Sequence, residues 1–178
     1  MSQTIYQIDS AHSSAQFTVR HMMISNVRGD FTNVSGTVAF DAQGPTNSTV
    51  EAHIDAASIN TREAQRDAHL KSAEFFDVEK YPEMVFRSKS VAAAEDGELQ
   101  VVGDLTIHGV TREVTLTVEG PTPEAKDPWG NQRIGATATT RINRKDFGLV
   151  WNVALEAGGV LVGEAIKISI DLEAIRQA

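Results

Sequence analysis

The sequence predicts an all-β chain of about eight antiparallel strands, closed as a barrel or stacked as a sandwich, with one short helix. Three observations lead there. Val, Ile and Thr make up about a quarter of the 178 residues, a composition suited to pleated, half-buried strands. Apolar residues recur with period two in seven separate runs, giving each run one buried and one wet face. Turn-forming clusters separate the runs at hairpin spacing. The length fits one domain with one sizeable core, taken as residues 1–178.

The runs follow in order. Ala15, Phe17 and Val19 alternate with Gln16, Thr18 and Arg20. Val34, Gly36, Val38 and Phe40 form the next face, and Val50, Ala52, Ile54 and Ala56 the one after, separated by the turn cluster Gln43-Gly44-Pro45-Thr46-Asn47. Leu99, Val101, Leu105 and Ile107 follow the hairpin signal Glu95-Asp96-Gly97, with a break at Gly103. His108-Gly109 leads at once into Val114, Leu116 and Val118. Residues 120–132 hold three of the five prolines and are expected to be the longest loop. Ile134, Ala136, Ala138 and Ile142 come next, and Gly158-Gly159 is expected to turn the chain into the cleanest run, Val160, Val162, Ile166, Ile168, Ile170 and Leu172. One segment departs from this pattern. Residues 61–72, TREAQRDAHLKS, carry no β-branched residue after Thr61, and Asn60 with Glu63 reads as a capping pair, so a short helix is expected there.

Antiparallel strands with one apolar face must close or stack to bury it. An eight-stranded barrel has room inside for side chains or for one small ligand. The inward positions Gly36, Ala52, Ala56, Gly103, Ala136 and Ala138 are small, and aromatics are only 6% of the chain. An interior lined this way can leave an apolar lumen, but small residues facing large ones across a packed core would read the same, and most barrel interiors are filled.

Composition excludes several functions. Sixteen Lys and Arg against 24 Asp and Glu give a net charge of −8, the wrong sign for a protein that neutralises nucleic-acid phosphates. There is no cysteine, so thiolate metal sites and cysteine nucleophiles are out. No stretch has the ~18 apolar residues of a membrane span. The opening MSQTIYQIDSAHSS lacks the positive start and apolar run of an export signal, so the cytoplasm is the expected location.

The chemistry-bearing residues form no motif of known catalysis. Asp9, His12 and Ser13 are triad residue types, but residues three apart on an extended strand point to opposite faces, so Asp9 and His12 are not expected to meet. The five histidines contain no i, i+4 pair, and His53 shares a wet face with Glu51 and Asp55, so hydrogen-bonded structural roles are expected and no metal site. Two local basic groups, Arg20-His21-Arg28 and Arg141-Arg144-Lys145, stand out in an acidic chain. Each is a candidate to meet an anionic head group at a cavity mouth or to sit salt-bridged on the surface. Phe75-Phe76 with Tyr81 is placed to cover a barrel end below the helix.

Several blocks, in one order, resemble the YceI-like family of lipocalin-like polyisoprenoid-binding proteins. They are Asp9-Ser10-Ala11-His12-Ser13, Phe17-Thr18-Val19-Arg20-His21, Val27-Arg28-Gly29-Asp30-Phe31, Ser58-Ile59-Asn60-Thr61, Arg66-Asp67-Ala68-His69-Leu70-Lys71-Ser72, Phe75-Phe76-Asp77, Tyr81-Pro82, Gly103 to Thr111 and Ile142 to Leu149. The resemblance implies an extended eight-stranded antiparallel lipocalin-like barrel with the helix near one end. It implies a hydrophobic tunnel for a long isoprenoid, of the polyprenyl or quinone type, or a similar amphiphile, no catalysis, no cofactor besides that lipid, and a homodimer. With strand phasing, it implies a lining of Phe17, Val19, Phe40, Ile54, Phe86, Leu105, Ile107, Ile166 and Ile168, with Phe31, Phe75, Phe147 and Trp151 at the mouth or cap and His12, Arg20 and His21 near the head group. An enzyme acting on such a lipid, or a filled barrel serving as a stress or interaction protein, are the alternative expectations.

Overall fold

A computed structural model describes residues 3–155 and 159–178 of the chain. The strands are β1 (Thr4–Ile8), β2 (Ser14–His21), β3 (Ser25–Phe31), β4 (Val34–Phe40), β5 (Thr49–Asp55), β6 (Ile59–Asn60), β7 (Glu83–Ala93), β8 (Leu99–Ile107), β9 (Val110–Glu119), β10 (Ala125–Lys126), β11 (Gln132–Asn143) and β12 (Val162–Arg176). The helix α1 spans Ala64–Lys71, inside the expected segment. All pairings are antiparallel. The order β11-β9-β8-β7-β5-β4-β1-β12 closes when β12 returns to β11 in a ladder from Arg133↔Ile175 to Asn143↔Ala165. The result is a closed eight-stranded barrel, as the resemblance implied; the alternation had left barrel or sandwich open.

β2 carries on from β1 beyond the 3-10 turn Ser10–His12 and pairs with β12 and β3. β12 flanks the β2–β3 hairpin along β2, and β6 pairs with the end of β3 at Asp30 and Phe31. Glycines and tight turns set the corners where expected. His108 and Gly109, both with positive φ, join β8 to β9 as a two-residue loop. The loop over 120–131 contains the short strand β10, paired to the start of β11. Gly158 of the expected turn before β12 lies outside the described residues; Gly159 has φ +83°.

Three strands carry weak alternation for local reasons. In β7, Met84 and Phe86 point inward, but a bulge between Ser88 and Ser90 shifts the phase so that Val91 is the next buried residue. The 3-10 turn after β1 does the same, moving the buried set from Tyr6 and Ile8 to Ala15. In β3, Gly29 takes an inward position because the Phe17 ring occupies the space a Cβ would need.

The helix cap is a correction. Glu63, not Asn60, caps α1, its carboxylate accepting from the Gln65 and Arg66 amides (3.2 and 2.7 Å). Asn60 instead accepts from the Arg62 amide in the preceding turn (2.9 Å). Asp67 reaches back to the Thr61 amide and hydroxyl, fastening α1 to the strand before it.

The small inward residues divide into three kinds. Ala52, Ala136 and Ala138 border an internal cavity. Gly36 and Gly103 do not. A Cβ at Gly36, where φ is +137°, would strike the Glu51 carbonyl oxygen. At Gly103 it would strike the Arg87 carbonyl and the Phe86 ring (2.5 Å each). Ala56 is simply packed in the core. Two of the six small residues therefore report close backbone approach, not an open lumen.

Candidate functional site

The barrel surrounds an apolar cavity of about 230 Å³, bordered by inward residues of its wall strands and by Leu70, Phe75, Phe76 and Leu149. Apolar voids of roughly 150 Å³ already stay dry and accept small hydrocarbons, so this space suits carbon. Aromatic rings close the helix end. Phe31 lies between Phe17 and Phe76, with ring centres at 5.8 and 5.6 Å. Phe75, His69 and Trp151 form a second stack at 4.7–5.4 Å. Such edge and tilted contacts favour one fixed arrangement of rings.

Of the residues expected at the lining, mouth or cap, Phe17, Val19, Phe31, Phe40, Ile54, Phe75, Phe86, Leu105, Ile107, Ile166 and Ile168 border the cavity. Phe147 stands outside it, buried beneath the turn Arg144–Phe147, where its carbonyl lies 3.3 Å from His108 Nδ1. Trp151 also stands outside, stacked over His69 and Phe75. Tyr81 packs on His108 and over Gly109, away from the cavity. None of the three head-group candidates borders it. Arg20 and His21 lie at the tip of the β2–β3 hairpin, and Arg20 donates to the Met23 carbonyl (3.2 Å). His12 faces a separate groove on the outside of the barrel.

The structure corrects one expectation about His12. Its Nδ1 lies 2.8 Å from Asp9 Oδ2. The two meet because the chain between them forms a 3-10 turn that Asp9 caps, so strand geometry does not hold there. Ser13 takes no part: its hydroxyl is bonded to the Glu173 main chain (3.0 and 3.2 Å). No triad is assembled.

Sequence reasoning did not separate Arg144 from its basic neighbours. Lys145 pairs with Glu164 at the surface (2.8 Å), and Arg141 is exposed. Arg144 is 3% exposed and borders the cavity. Its Nε donates to the Gly163 carbonyl (2.8 Å), its Nη1 to Leu149 and Trp151 (2.6 and 3.0 Å), and its Nη2 to Val162 (3.2 Å). Burial pulls its pKa down, and Glu164 partly offsets this. One guanidinium thus ties the loop after β11 to the start of β12. A planar fork of five donors performs this task; an ammonium has three and no plane. Only the burial of this position, which alternation cannot report, singles it out.

The outer groove holds a second arginine-centred cluster. Arg133 donates to Asp9 (2.7 Å), Asp127 (2.7 Å) and Glu173 (3.1 Å). Asp9, His12 and Glu173 are close enough together to suggest metal ligands, but the guanidinium already satisfies two of the three. Arg133 holds the carboxyls of Asp9 and Asp127 down at about 2, with His12 a further cause for Asp9. Because both are depressed from the ordinary ~4, their contribution to stability is complete above that value. It fades as pH falls from about 4 towards 2. Arg133→Met is therefore expected to lower the melting temperature at pH 6 and to converge with the wild type near pH 2. Thermal melts across that range check it; a constant gap would mean the cluster is not responsible.

Comparison with known proteins places this architecture. The YceI-like domain model matches residues 6–174. The UPF0312 protein of Staphylococcus aureus (strain N315) is 38% identical over 170 residues, 96% of each chain. The Campylobacter jejuni YceI protein superposes with a TM-score of 0.73 at 30% identity, covering 89% of this chain and 90% of that one. Burkholderia cenocepacia BcnA superposes at 0.76 with 23% identity (93% and 98%). A polyisoprenoid-binding domain from Saccharophagus degradans superposes at 0.70 with 17% identity (97% and 98%). The last two report the shared fold alone. With a family match spanning almost the whole barrel and a relative of this identity along its full length, the chain belongs to the YceI-like family.

Proposed function

We propose that the protein binds a long apolar chain, an isoprenoid of the polyprenyl or quinone type or a similar amphiphile, inside the barrel, and carries or stores it without chemical change. The observation that carries this reading is the cavity inside the barrel, bordered almost wholly by carbon. The polyisoprenoid-binding domain of Saccharophagus degradans, which shares the fold, supports it. Each buried methylene contributes roughly 0.8 kcal/mol, so a five-carbon unit gains about 4 kcal/mol before the chain's lost freedom offsets part of it. Selectivity then follows cavity length and width more than polar contacts. In this reading the inward residues from Phe17 to Ile168 hold the chain, Arg20 and His21 lie nearest the head group at the hairpin end, and His12 takes no part.

The test is native mass spectrometry of the purified protein before and after incubation with prenyl alcohols of graded length, followed by solvent extraction. One chain per barrel, with affinity rising with length and then levelling, is the expected result. A protein that carries none and takes up none is a filled barrel, and the reading fails. A bound chain released chemically altered would favour an enzyme.

A further inference from the structure

The β2–β3 hairpin ends in an unusual turn. The Ile24 amide donates to the His21 carbonyl (3.1 Å), and both central residues, Met22 and Met23, have positive φ (52° and 62°). Turns of this shape normally place Asn, Asp or Gly there, because a side chain in the left-handed region is strained. Here two flexible apolar residues take those positions and point outward: Met22, Met23 and Ile24 are 42%, 52% and 74% exposed. The tip is continuous with a second apolar segment. The Met22 amide donates to the Leu161 carbonyl (2.7 Å) and the Leu161 amide to Val153 (2.8 Å), while Val150 and Val153 are 60% and 46% exposed. Backbone pairing thus sets the tip beside the segment that carries Val150 and Val153, next to Trp151 of the aromatic stack. Most exposed apolar residues occur singly; a contiguous group marks an interaction site.

Charge indicates the partner. Arg20 and Arg28 lie on the outer face of this hairpin, because Val19 and Val27 pair with each other on the alternate face. Both arginines are exposed and, among the described residues, stand outside every ion pair. In a chain of net charge −8, two unneutralised cations beside an apolar tip match a surface that is anionic outside and apolar beneath. We propose that this tip, with Arg20 and Arg28, docks on an anionic lipid bilayer, from which the cavity is loaded at its aromatic end. The inference rests on the lipid-binding reading and adds to it the source of the lipid. The overall negative charge keeps the contact short-lived and fixes which end faces the membrane.

The test is flotation of the whole protein with vesicles of phosphatidylcholine, alone or mixed with phosphatidylglycerol. Binding is expected on the anionic vesicles and weakened by salt. Ile24→Asp should reduce it at least about tenfold, and Arg20→Gln and Arg28→Gln about fivefold each on anionic vesicles only. All three positions are exposed, so melting temperatures should not change. Equal flotation of wild type and Ile24→Asp, or equal binding to neutral and anionic vesicles, overturns the proposal. So does an Ile24→Asp variant that turns a dimer into a monomer by light scattering with flotation unchanged, which would give the tip to a second copy of the chain. Loading of a prenyl alcohol from cyclodextrin keeps the two readings apart. Wild type and Ile24→Asp should load equally from cyclodextrin and differ from vesicles. Loading from neither source sinks the lipid-binding reading itself.

Discussion

Ile168→Trp is expected to abolish uptake of a long apolar chain while the barrel stays folded. Ile168 lies near the middle of β12, opposite Phe17 on β2 and Thr140 on β11, and borders the cavity. An indole there fills space that is empty in the wild type, so the overpacking cost stays within the usual ~1–3 kcal/mol for an enlarged core residue. Bound chain measured by native mass spectrometry should drop at least about tenfold, equivalent to losing two buried methylenes at roughly 0.8 kcal/mol each. Lys167→Trp is the control: it adds the same bulk to the outer face of the same strand and should leave uptake intact. Ile54→Trp probes the opposite wall, but Ile54 is packed more tightly at 7% exposed, and a larger loss of stability is expected there. A folded Ile168→Trp protein that loads normally would place the ligand outside the cavity.

Arg144→Met is expected to be the most destabilising single change outside the apolar core. It removes a donor from four carbonyls, those of Leu149, Trp151, Val162 and Gly163, of which Val162 keeps the Asn152 side-chain amide (2.7 Å). Each buried acceptor left unsatisfied costs about 1–3 kcal/mol, though some will find water. A net loss of roughly 3 kcal/mol corresponds to a fall of about 6–12 °C in melting temperature for a protein of this size. Arg144→Lys should recover only part, since an ammonium can reach some of these carbonyls but not span all four. Thermal melts of the three proteins decide it; Arg144→Met melting with the wild type would mean the loop after β11 is held by other contacts. This change and Ile168→Trp separate two properties, fold stability and cavity volume, that a deletion in the apolar core would confuse.

The barrel wall was largely legible in the sequence. Seven period-two runs map onto β2, β4, β5, β8, β9, β11 and β12, and the turn clusters fall at their ends. Where alternation was weak, a bulge in β7 or the 3-10 turn after β1 had shifted its phase, and in β3 a glycine takes an inward position. Facing was also legible: ten of the thirteen expected lining, mouth and cap residues border the cavity from strands, where period two assigns a residue to a face whatever the register, and Phe75 borders it from the turn after α1. Phe147 and Trp151 fall outside strands, in the turn and loop after β11, where no such rule applies.

What the sequence alone determined about this protein is therefore its class, its strands, its helix and the inner face of its wall, all consequences of local period and turn chemistry. The tertiary structure decided the rest. Whether eight apolar faces meet or leave a gap depends on strand tilt and on partners far apart in the chain, such as Phe17 opposite Ile168. The closeness of Asp9 and His12, the burial of Arg144 under a loop five to nineteen residues on, and the union of the Met22–Ile24 tip with Val150 and Val153 are likewise non-local. They depend on where the closed sheet brings separate segments, and spacing along one strand carries no record of that.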